Sequence, residues 1–231
     1  FIINNMKKQK NNEWNELAEE VDEQNIKQKV YDDVFIKFCS PDCKNKTILD
    51  YGCGTGDIAK RLESSVKLIE AYDESKEMRK SAIKKLGKVV YSNHNKIPRN
   101  KYDTVLSSLV LCVVNNREAK RIVKQVYNSL KSKGTAYIGF CNPLDFKIKE
   151  TKLQFRLPTG DNYKTEHEYK KKIKIGDGEF FEMTDKHRPL EFYEGLFEKV
   201  GFKILKKKFS LSETIKGRKC SDFIIYKLKK Q

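Results

Sequence analysis

The sequence predicts an α/β protein with a mostly parallel β-sheet that helices cover on both faces. Short apolar runs with the composition of strands alternate with longer segments whose apolar residues recur at helical spacing. In addition, a loop with three glycines at alternate positions, Asp-Tyr-Gly-Cys-Gly-Thr-Gly-Asp at 50–57, directly follows the first of these runs. Strand–helix alternation is typical of parallel sheets, whose ligands bind at the carboxyl ends of the strands.

The N-terminal part of the chain predicts two helices and the first strands. Apolar residues between 12 and 38 lie at helical spacing, and Ser40-Pro41 ends this segment because the residue before proline avoids the helical conformation. The first strand is 47–49. A helix follows from 57 to about 63, and the second strand is 66–71.

The next helix has recognisable ends. Ser75 is a typical N-cap and Gly87 a typical C-terminal stop. Its predicted buried residues are Met78, Ala82, Ile83 and Leu86. The later elements, in order, are strands 89–91 and 102–109, a helix over 116–131 with Gly134 beyond its end, strand 135–140, a helix that starts at Pro189 and stops at Gly201, and strands 202–209 and 222–228.

Length and composition favour one domain, 1–231, in a reducing compartment. No run approaches the roughly 18 apolar residues of a membrane span, the opening residues are too short for a secretory signal, and Met6 is a candidate start. The six cysteines have no metal-site spacing, so we expect no metal. Free thiols in apolar runs predict a cytoplasmic protein.

The net charge of +16 raises the question of nucleic-acid binding. Only eight of the 48 basic residues are arginine, the side chain best suited to bidentate contacts with phosphates and bases. The lysine runs at 170–172 and 206–208 are interpreted as solvated faces, with binding patches as the alternative.

The glycine loop excludes two common kinds of nucleotide site. A dinucleotide loop with the spacing G-x-G-x-x-G would need a third glycine at position 57, which is Asp57. A phosphate-binding P-loop would need Gly-Lys-Ser/Thr after the glycines, and this is absent.

Four ordered stretches, however, resemble the class I S-adenosylmethionine-dependent methyltransferases, in particular the small-molecule subgroup that includes ubiquinone-biosynthesis-like enzymes. They are ILDYGCGTGD at 48–57, EAYDESKEM at 70–78, NHNKIPRNKYDTVLSSLVL at 93–111 and LKSKGTAYIGF at 130–140. The resemblance covers about 46–141 and resumes weakly over 187–229. It implies a seven-stranded, doubly wound, Rossmann-like sheet with the last strand antiparallel, and S-adenosylmethionine as cofactor.

The resemblance also implies which residues hold this cofactor. Asp73 would accept from both ribose hydroxyls, with starting the following helix as the alternative role. Asp50 would lie near the ammonium, and the helix that starts at Asp57 would face the carboxylate. Asn93 replaces the family's acid and His94 its alanine. The implied contacts are Asp50, Gly52, Cys53, Gly54, Thr55, Gly56, Asp73, Glu74, Met78, Asn93, His94, Ser107, Ser108 and Leu109.

The segment 142–186 is an insertion in the minimal sheet, as 1–40 is an N-terminal helical addition. Two alternating runs around Gly176-Asp177-Gly178 predict a hairpin. In the family an insertion here commonly covers the substrate, so we expect a cap. The alternatives are a contact between two copies of the chain and a simple extension of the sheet.

The catalytic prediction rests on few side chains. Cys112 stands about where many relatives have a histidine, so the expected base is missing there. His187 is the remaining candidate base or substrate-orienting group, and anchoring the cap is its alternative role. Arg188 and Tyr163 are predicted to contact substrate.

The predicted function is methyl transfer to a small molecule, because the large insertion suits a lid. An RNA or tRNA methyltransferase is the first alternative and has only the charge in its favour. An inactive S-adenosylmethionine-binding partner subunit is the second.

Overall fold

The computed structural model describes residues 26–231 except 88–89, 158–161 and 175–179. The helices are α1 (Ile26–Cys43), α2 (Asp57–Leu62), α3 (Lys76–Leu86), α4 (Asn116–Ser129) and α5 (Leu190–Val200). The strands are β1 (Thr47–Tyr51), β2 (Leu68–Tyr72), β3 (Val90–Tyr91), β4 (Tyr102–Ser108), β5 (Leu130–Cys141), β6 (Gln154–Leu157), β7 (His167–Lys174), β8 (Phe180–His187), β9 (Phe202–Ile215) and β10 (Arg218–Lys230). The first of the two predicted N-terminal helices lies mostly outside the described residues.

Seven strands form the central sheet in the order β3-β2-β1-β4-β5-β10-β9. Neighbours from β3 to β5 pair in parallel, whereas β10 pairs antiparallel with β5 and β9. Adjacent residues of a strand point to opposite faces of the sheet, and helices cover both faces. On β5, Gly139 lies under Tyr31 of α1, and Phe140 stacks on Tyr193 of α5 with ring centroids 4.0 Å apart. The predicted fold class is confirmed.

Helix α3 has the predicted caps but a narrower buried face. The Ser75 hydroxyl accepts from the amide of Met78 at 3.2 Å, and Gly87 has a φ of 57°. Met78, Ala82 and Leu86 are buried, but Ile83 is 50% exposed. The expectation for Ile83 was wrong. Met78, Ala82 and Leu86 are spaced four positions apart along one side of the helix and pack against the glycine loop, whereas Ile83 lies beside this line.

Helix α1 does not end at Ser40-Pro41 as expected, and continues to Cys43 with Pro41 inside it. Tertiary contacts stabilise this last turn against the local effect of proline. Cys43 is fully buried. Asp42 accepts from the Tyr137 hydroxyl at 2.6 Å, and its carbonyl accepts from Thr104 Oγ1 at 2.8 Å.

The C-terminal half of the sheet is more extended than the sequence predicts. β5 begins at Leu130, directly after α4, although the strand was expected to start only after Gly134. Lys133 has a φ of 58°, and the pairing of β5 with β4 is irregular at this point. β9 and β10 form one long hairpin instead of two short strands. Among the described helices, none has the length and apolar character needed to cross a membrane.

The insertion folds as a separate three-stranded antiparallel sheet, β6-β7-β8, which we call the cap. The predicted antiparallel pairing of two runs is present as β7 and β8, while the turn at 176–178 lies outside the described residues. Strand β6 was not predicted. One face of the cap is buried although it carries charges, and includes Arg156, Lys171 and Asp185.

Candidate active site

The glycine loop joins β1 to α2 in a conformation that needs glycine. Gly52, Gly54 and Gly56 have φ angles of 77°, 54° and 90°. A β-carbon on Gly52 would lie 2.2 Å from Cγ2 of Val110, so the loop passes closely under the chain that follows β4. Between the glycines, the amide of Cys53 donates to the Tyr72 carbonyl at 3.0 Å, and Thr55 Oγ1 donates to Asp57 at 2.9 Å.

Asp50 is a buried carboxylate whose two oxygens have no hydrogen-bond partner among the described residues. Burial, together with the nearby carboxylates of Asp32 and Asp73, raises the pKa of Asp50 to about 7. A buried acid of this kind is stabilised by a cation or a strong donor placed beside it. The site therefore suits the ammonium group of an amino-acid ligand.

Asp73 connects the end of β2 to the glycine loop. Its Oδ2 accepts from the amide of Gly54 and its Oδ1 from the amide of Ser75, both at 2.9 Å. Burial raises the pKa of Asp73, and these two amides oppose the change. Each oxygen keeps a further lone pair, so the carboxylate can accept two more hydrogen bonds.

The other residues predicted near β2 and β3 differ in their exposure. Met78 is buried, with its sulfur 3.9 Å from where a β-carbon on Gly54 would lie, whereas Glu74 is exposed and accepts from the Tyr72 hydroxyl. Asn93 is exposed, and its side-chain oxygen accepts from the amide of Asn95 at 2.8 Å. The carbonyl of His94 accepts from Gln125. The adenine contacts of Asn93 and His94 stay predictions.

At the end of β4, Ser107, Ser108 and Leu109 stand beside the loop. The buried hydroxyl of Ser107 has no partner among the described residues, and Ser108 donates to the Tyr31 hydroxyl at 3.3 Å. Leu109 has a φ of 58°, an uncommon conformation for a residue with a side chain, and donates its amide to Gly139 at 2.8 Å. Because β1, β2 and β4 are adjacent and parallel, the residues at their carboxyl ends lie at one edge of the sheet.

His187 and Tyr163 hold the end of the cap. His187 is buried, and its Nε2 lies 2.7 Å from the Tyr163 carbonyl. Its ring packs against those of Phe146 and His167, with a centroid distance of 4.8 Å to each. The Tyr163 hydroxyl accepts from the amide of Leu190 at 2.8 Å. These contacts agree with the anchoring role that was the alternative for His187.

Arg188 is buried, and its guanidinium donates hydrogen bonds to the segment that follows β4. Nε donates to Asn116 Oδ1 at 2.6 Å, Nη1 to the Leu111 carbonyl at 2.9 Å, and Nη2 to the carbonyl of Val114. Such contacts suit a residue that fixes this segment against α5. Substrate contact by Arg188 or Tyr163 stays a prediction.

Five buried side chains between the cap and the sheet form a group that was not predicted from the sequence. We call Cys112, Cys141, Tyr169, Lys171 and Asp185 the buried cap cluster; each is at most 9% exposed. Lys171 belongs to the run 170–172 that was interpreted as a solvated face, which was wrong for this residue because alternation along β7 turns it inward between two exposed lysines. Alternation along the strand was the available sequence signal that Lys171 faces away from Lys170 and Lys172, but it does not identify which of the two faces is buried.

The cluster contains three potential metal ligands, since one atom each of Cys112, Cys141 and Asp185 lie within 4.8 Å of one another. The ammonium of Lys171, however, lies 2.6 Å from Asp185 Oδ2 and 3.4 Å from Cys141 Sγ. This ammonium already supplies the positive charge that a metal ion would bring.

We expect replacement of His187 by asparagine to remove part of the pH dependence of stability. Burial lowers the pKa of His187, so the folded state binds this proton less readily than the unfolded state. Its stabilising effect is complete above the unfolded pKa of about 6.5 and is lost as the pH falls below that value. Urea unfolding at several pH values between about 7.5 and 5 measures this. A pH dependence of stability as steep in the His187→Asn variant as in the wild type would contradict this expectation. The control is His94→Asn.

Comparisons with known proteins agree with this geometry. The family model described as "Methyltransferase domain" matches residues 48–134. The chain is 30% identical over 167 residues to an uncharacterized protein from Methanocaldococcus jannaschii, and the match covers 68% of this chain. The chain spans 62% of the length of this curated relative.

Solved structures share the fold over most of the chain. An S-adenosylmethionine-dependent methyltransferase from Clostridium acetobutylicum is 21% identical with a TM-score of 0.62, covering 87% of this chain and 91% of its own. A Listeria monocytogenes protein assigned to the same class is 25% identical with a TM-score of 0.62, covering 87% and 98%. Magnesium protoporphyrin IX methyltransferase from Synechocystis, solved with bound S-adenosylmethionine, is 14% identical with a TM-score of 0.57, covering 88% and 79%. A methyltransferase-domain model thus matches residues 48–134, and the chain shares its seven-stranded fold with S-adenosylmethionine-dependent methyltransferases of known structure.

Proposed function

We propose that the protein transfers the methyl group of S-adenosylmethionine to a small molecule. The observation that carries the proposal is the position of the cap. The peptide amide of Lys186 on β8 donates to the carbonyl of Cys112 at 2.8 Å, which joins the cap to the segment directly after β4. Cys141, at the end of β5, also contacts the cap. A methyl acceptor at the carboxyl ends of these strands would therefore be enclosed, as suits a small molecule.

The residues at the sheet edge fit the cofactor of the family. Neither oxygen of the buried Asp50 has a hydrogen-bond partner among the described residues, and the ammonium is expected there. The Asp73 carboxylate keeps lone pairs for the ribose hydroxyls. Gly52 lets the backbone approach closely. When bound, S-adenosylmethionine supplies an activated methyl group on a sulfonium. The remaining task of the protein is to align the acceptor, and such positioning contributes up to roughly 7–11 kcal/mol to lowering a barrier.

The substrate class is tested by offering two kinds of acceptor. The purified protein is incubated with methyl-labelled S-adenosylmethionine and either a dialysable metabolite extract or bulk tRNA. We expect label in a dialysable product that chromatography separates from S-adenosylmethionine. Label in tRNA would instead support the RNA alternative, whose argument is the net charge of +16. Cofactor binding without label in either fraction would support an inactive binding subunit.

The assignment of Asp50 predicts that cofactor binding depends on pH. A cation beside Asp50 favours the carboxylate form, so binding should release a proton below the free-state pKa of about 7. We expect the affinity for S-adenosylmethionine to rise as the pH increases towards 7 and then to level off. Calorimetric titration across this range measures it, and Asp50→Asn should give a weaker, flat profile. An unchanged profile in that variant would place the ammonium elsewhere.

A further inference from the structure

The buried cap cluster is organised around one carboxylate oxygen. Asp185 Oδ2 accepts from Lys171 Nζ at 2.6 Å, from Cys141 Sγ at 3.1 Å and from the Tyr169 hydroxyl at 3.2 Å. Asp185 is fully buried, and its other oxygen, Oδ1, has no partner among the described residues. A buried acceptor atom of a charged group is costly when it is left without a donor.

The surroundings keep Asp185 rigid. Burial by itself would lower the pKa of Lys171, but the adjacent Asp185 carboxylate raises it overall, so the ammonium stays charged. Three donors on one oxygen fix the orientation of the carboxylate plane. The three groups that surround Oδ2 therefore leave Oδ1 as the atom that can meet a ligand.

The cluster lies beside a predicted cofactor contact at the end of β4. Cys112 Sγ donates to the carbonyl of Leu109 at 3.4 Å, and Leu109 is a predicted cofactor contact. Cys112 and Asp185 bring their side-chain ligand atoms within 4.8 Å of each other. The predicted base, His187, has its Nε2 at hydrogen-bond distance from the Tyr163 carbonyl. Among the titratable side chains described near this edge, Asp185 combines an unpartnered oxygen with a position beside the chain that leaves β4.

We propose that Asp185 Oδ1 binds the methyl acceptor by accepting a hydrogen bond from its reacting heteroatom, with Lys171 and Tyr169 as positioning residues. This inference rests on the proposed function and adds a substrate class to it. The acceptor is a small molecule whose reacting oxygen, nitrogen or sulfur carries a proton.

The transfer is balanced with the groups present. The heteroatom forms a bond to the methyl carbon, and the carbon–sulfur bond breaks with its electron pair going to sulfur, which leaves S-adenosylhomocysteine. The proton of the heteroatom passes to Asp185 Oδ1 and is later released to water.

The test needs no knowledge of the acceptor. Sinefungin is an analogue of S-adenosylmethionine in which a carbon bearing an amine replaces the methylsulfonium group, so it presents a cationic donor at the transfer point. S-adenosylhomocysteine lacks this group. We expect the wild-type protein to bind sinefungin roughly tenfold more tightly than S-adenosylhomocysteine. In Asp185→Asn this preference should disappear while the affinity for S-adenosylhomocysteine stays the same.

Two further variants keep the result interpretable. Glu182→Gln removes the same charge from the exposed face of the same strand and should keep the preference. Because Asp185→Asn leaves Lys171 buried without its partner, the double variant Lys171→Met/Asp185→Asn provides a version without that unpaired charge, with the same expected loss of preference.

The contrary results are distinct. A preference that persists in both Asp185 variants, or that the wild type lacks, would overturn the role of Asp185 and leave the proposed function intact. Stoichiometric zinc that is lost in Cys112→Ser would also overturn it and identify a metal site instead. Failure of the wild type to bind S-adenosylmethionine and both analogues would contradict the proposed function itself.

Discussion

Replacement of Asp73 by alanine is expected to weaken the binding of S-adenosylmethionine by about 100-fold or more. The carboxylate is held at the end of β2 by the amides of Gly54 and Ser75, with lone pairs left over for two ribose hydroxyls. Hydrogen bonds to a charged acceptor contribute about 1.5–3 kcal/mol each before compensation. Calorimetric titration with S-adenosylmethionine measures the loss directly.

Two controls separate ligand contact from a general disturbance of the site. Glu77→Gln changes a carboxylate in the first turn of α3 that pairs with Lys80 at the surface, and it should leave the affinity unchanged. Asp73→Asn keeps one acceptor oxygen and should give an intermediate affinity. If Asp73→Ala binds S-adenosylmethionine as tightly as the wild type does, the ribose is held elsewhere.

Replacement of Arg156 by methionine is expected to lower the free energy of unfolding by about 3–5 kcal/mol. Arg156 and Asp222 form an ion pair at 2.9 Å in which both side chains are 2% exposed, and it joins cap strand β6 to β10 of the central sheet. Arg156 also donates to the carbonyl of Asp145 at 2.7 Å. Without the guanidinium, Asp222 stays buried with the amide of Gln154 as its nearest donor. Urea unfolding at neutral pH measures the effect.

The pH dependence of this loss has a definite sign. Burial raises the pKa of Asp222 and Arg156 opposes that change, so removal of Arg156 raises the pKa further. A carboxyl group with a raised folded pKa destabilises the protein increasingly as the pH rises above the unfolded value of about 3.9. The difference between variant and wild type should therefore shrink as the pH falls towards 4.

A double variant distinguishes an unpaired charge from lost packing. Arg156→Met/Asp222→Leu removes both charges and should recover most of the lost stability. Lys170→Met breaks an exposed ion pair with Glu182 on the outer face of the cap, and should cost at most about 1 kcal/mol. Equal loss in the single and double Arg156 variants would contradict the proposed cause.

The sheet and the glycine loop could be predicted because they depend on local signals. Alternation of apolar runs, the Ser75 cap and the stops at Gly87 and Gly201 each act within a few residues, and the structure contains all of them. The end of α1 could not be predicted in this way. Proline is a local signal to stop, but contacts of Asp42 with β4 and β5 outweigh it.

The sequence by itself determined the parallel sheet, the glycine loop and the inserted position of the cap. Only the tertiary structure decided which charges of the cap face inward. Lys171 and Asp185 lie 14 positions apart in charged segments that resemble solvated surface, and alternation along each strand leaves open which face is buried. Pairing of β7 with β8 and docking of this face onto Cys112 and Cys141 made that choice. The physical reason is that a buried charge requires a partner, and that partner is supplied by another strand once the strands have paired.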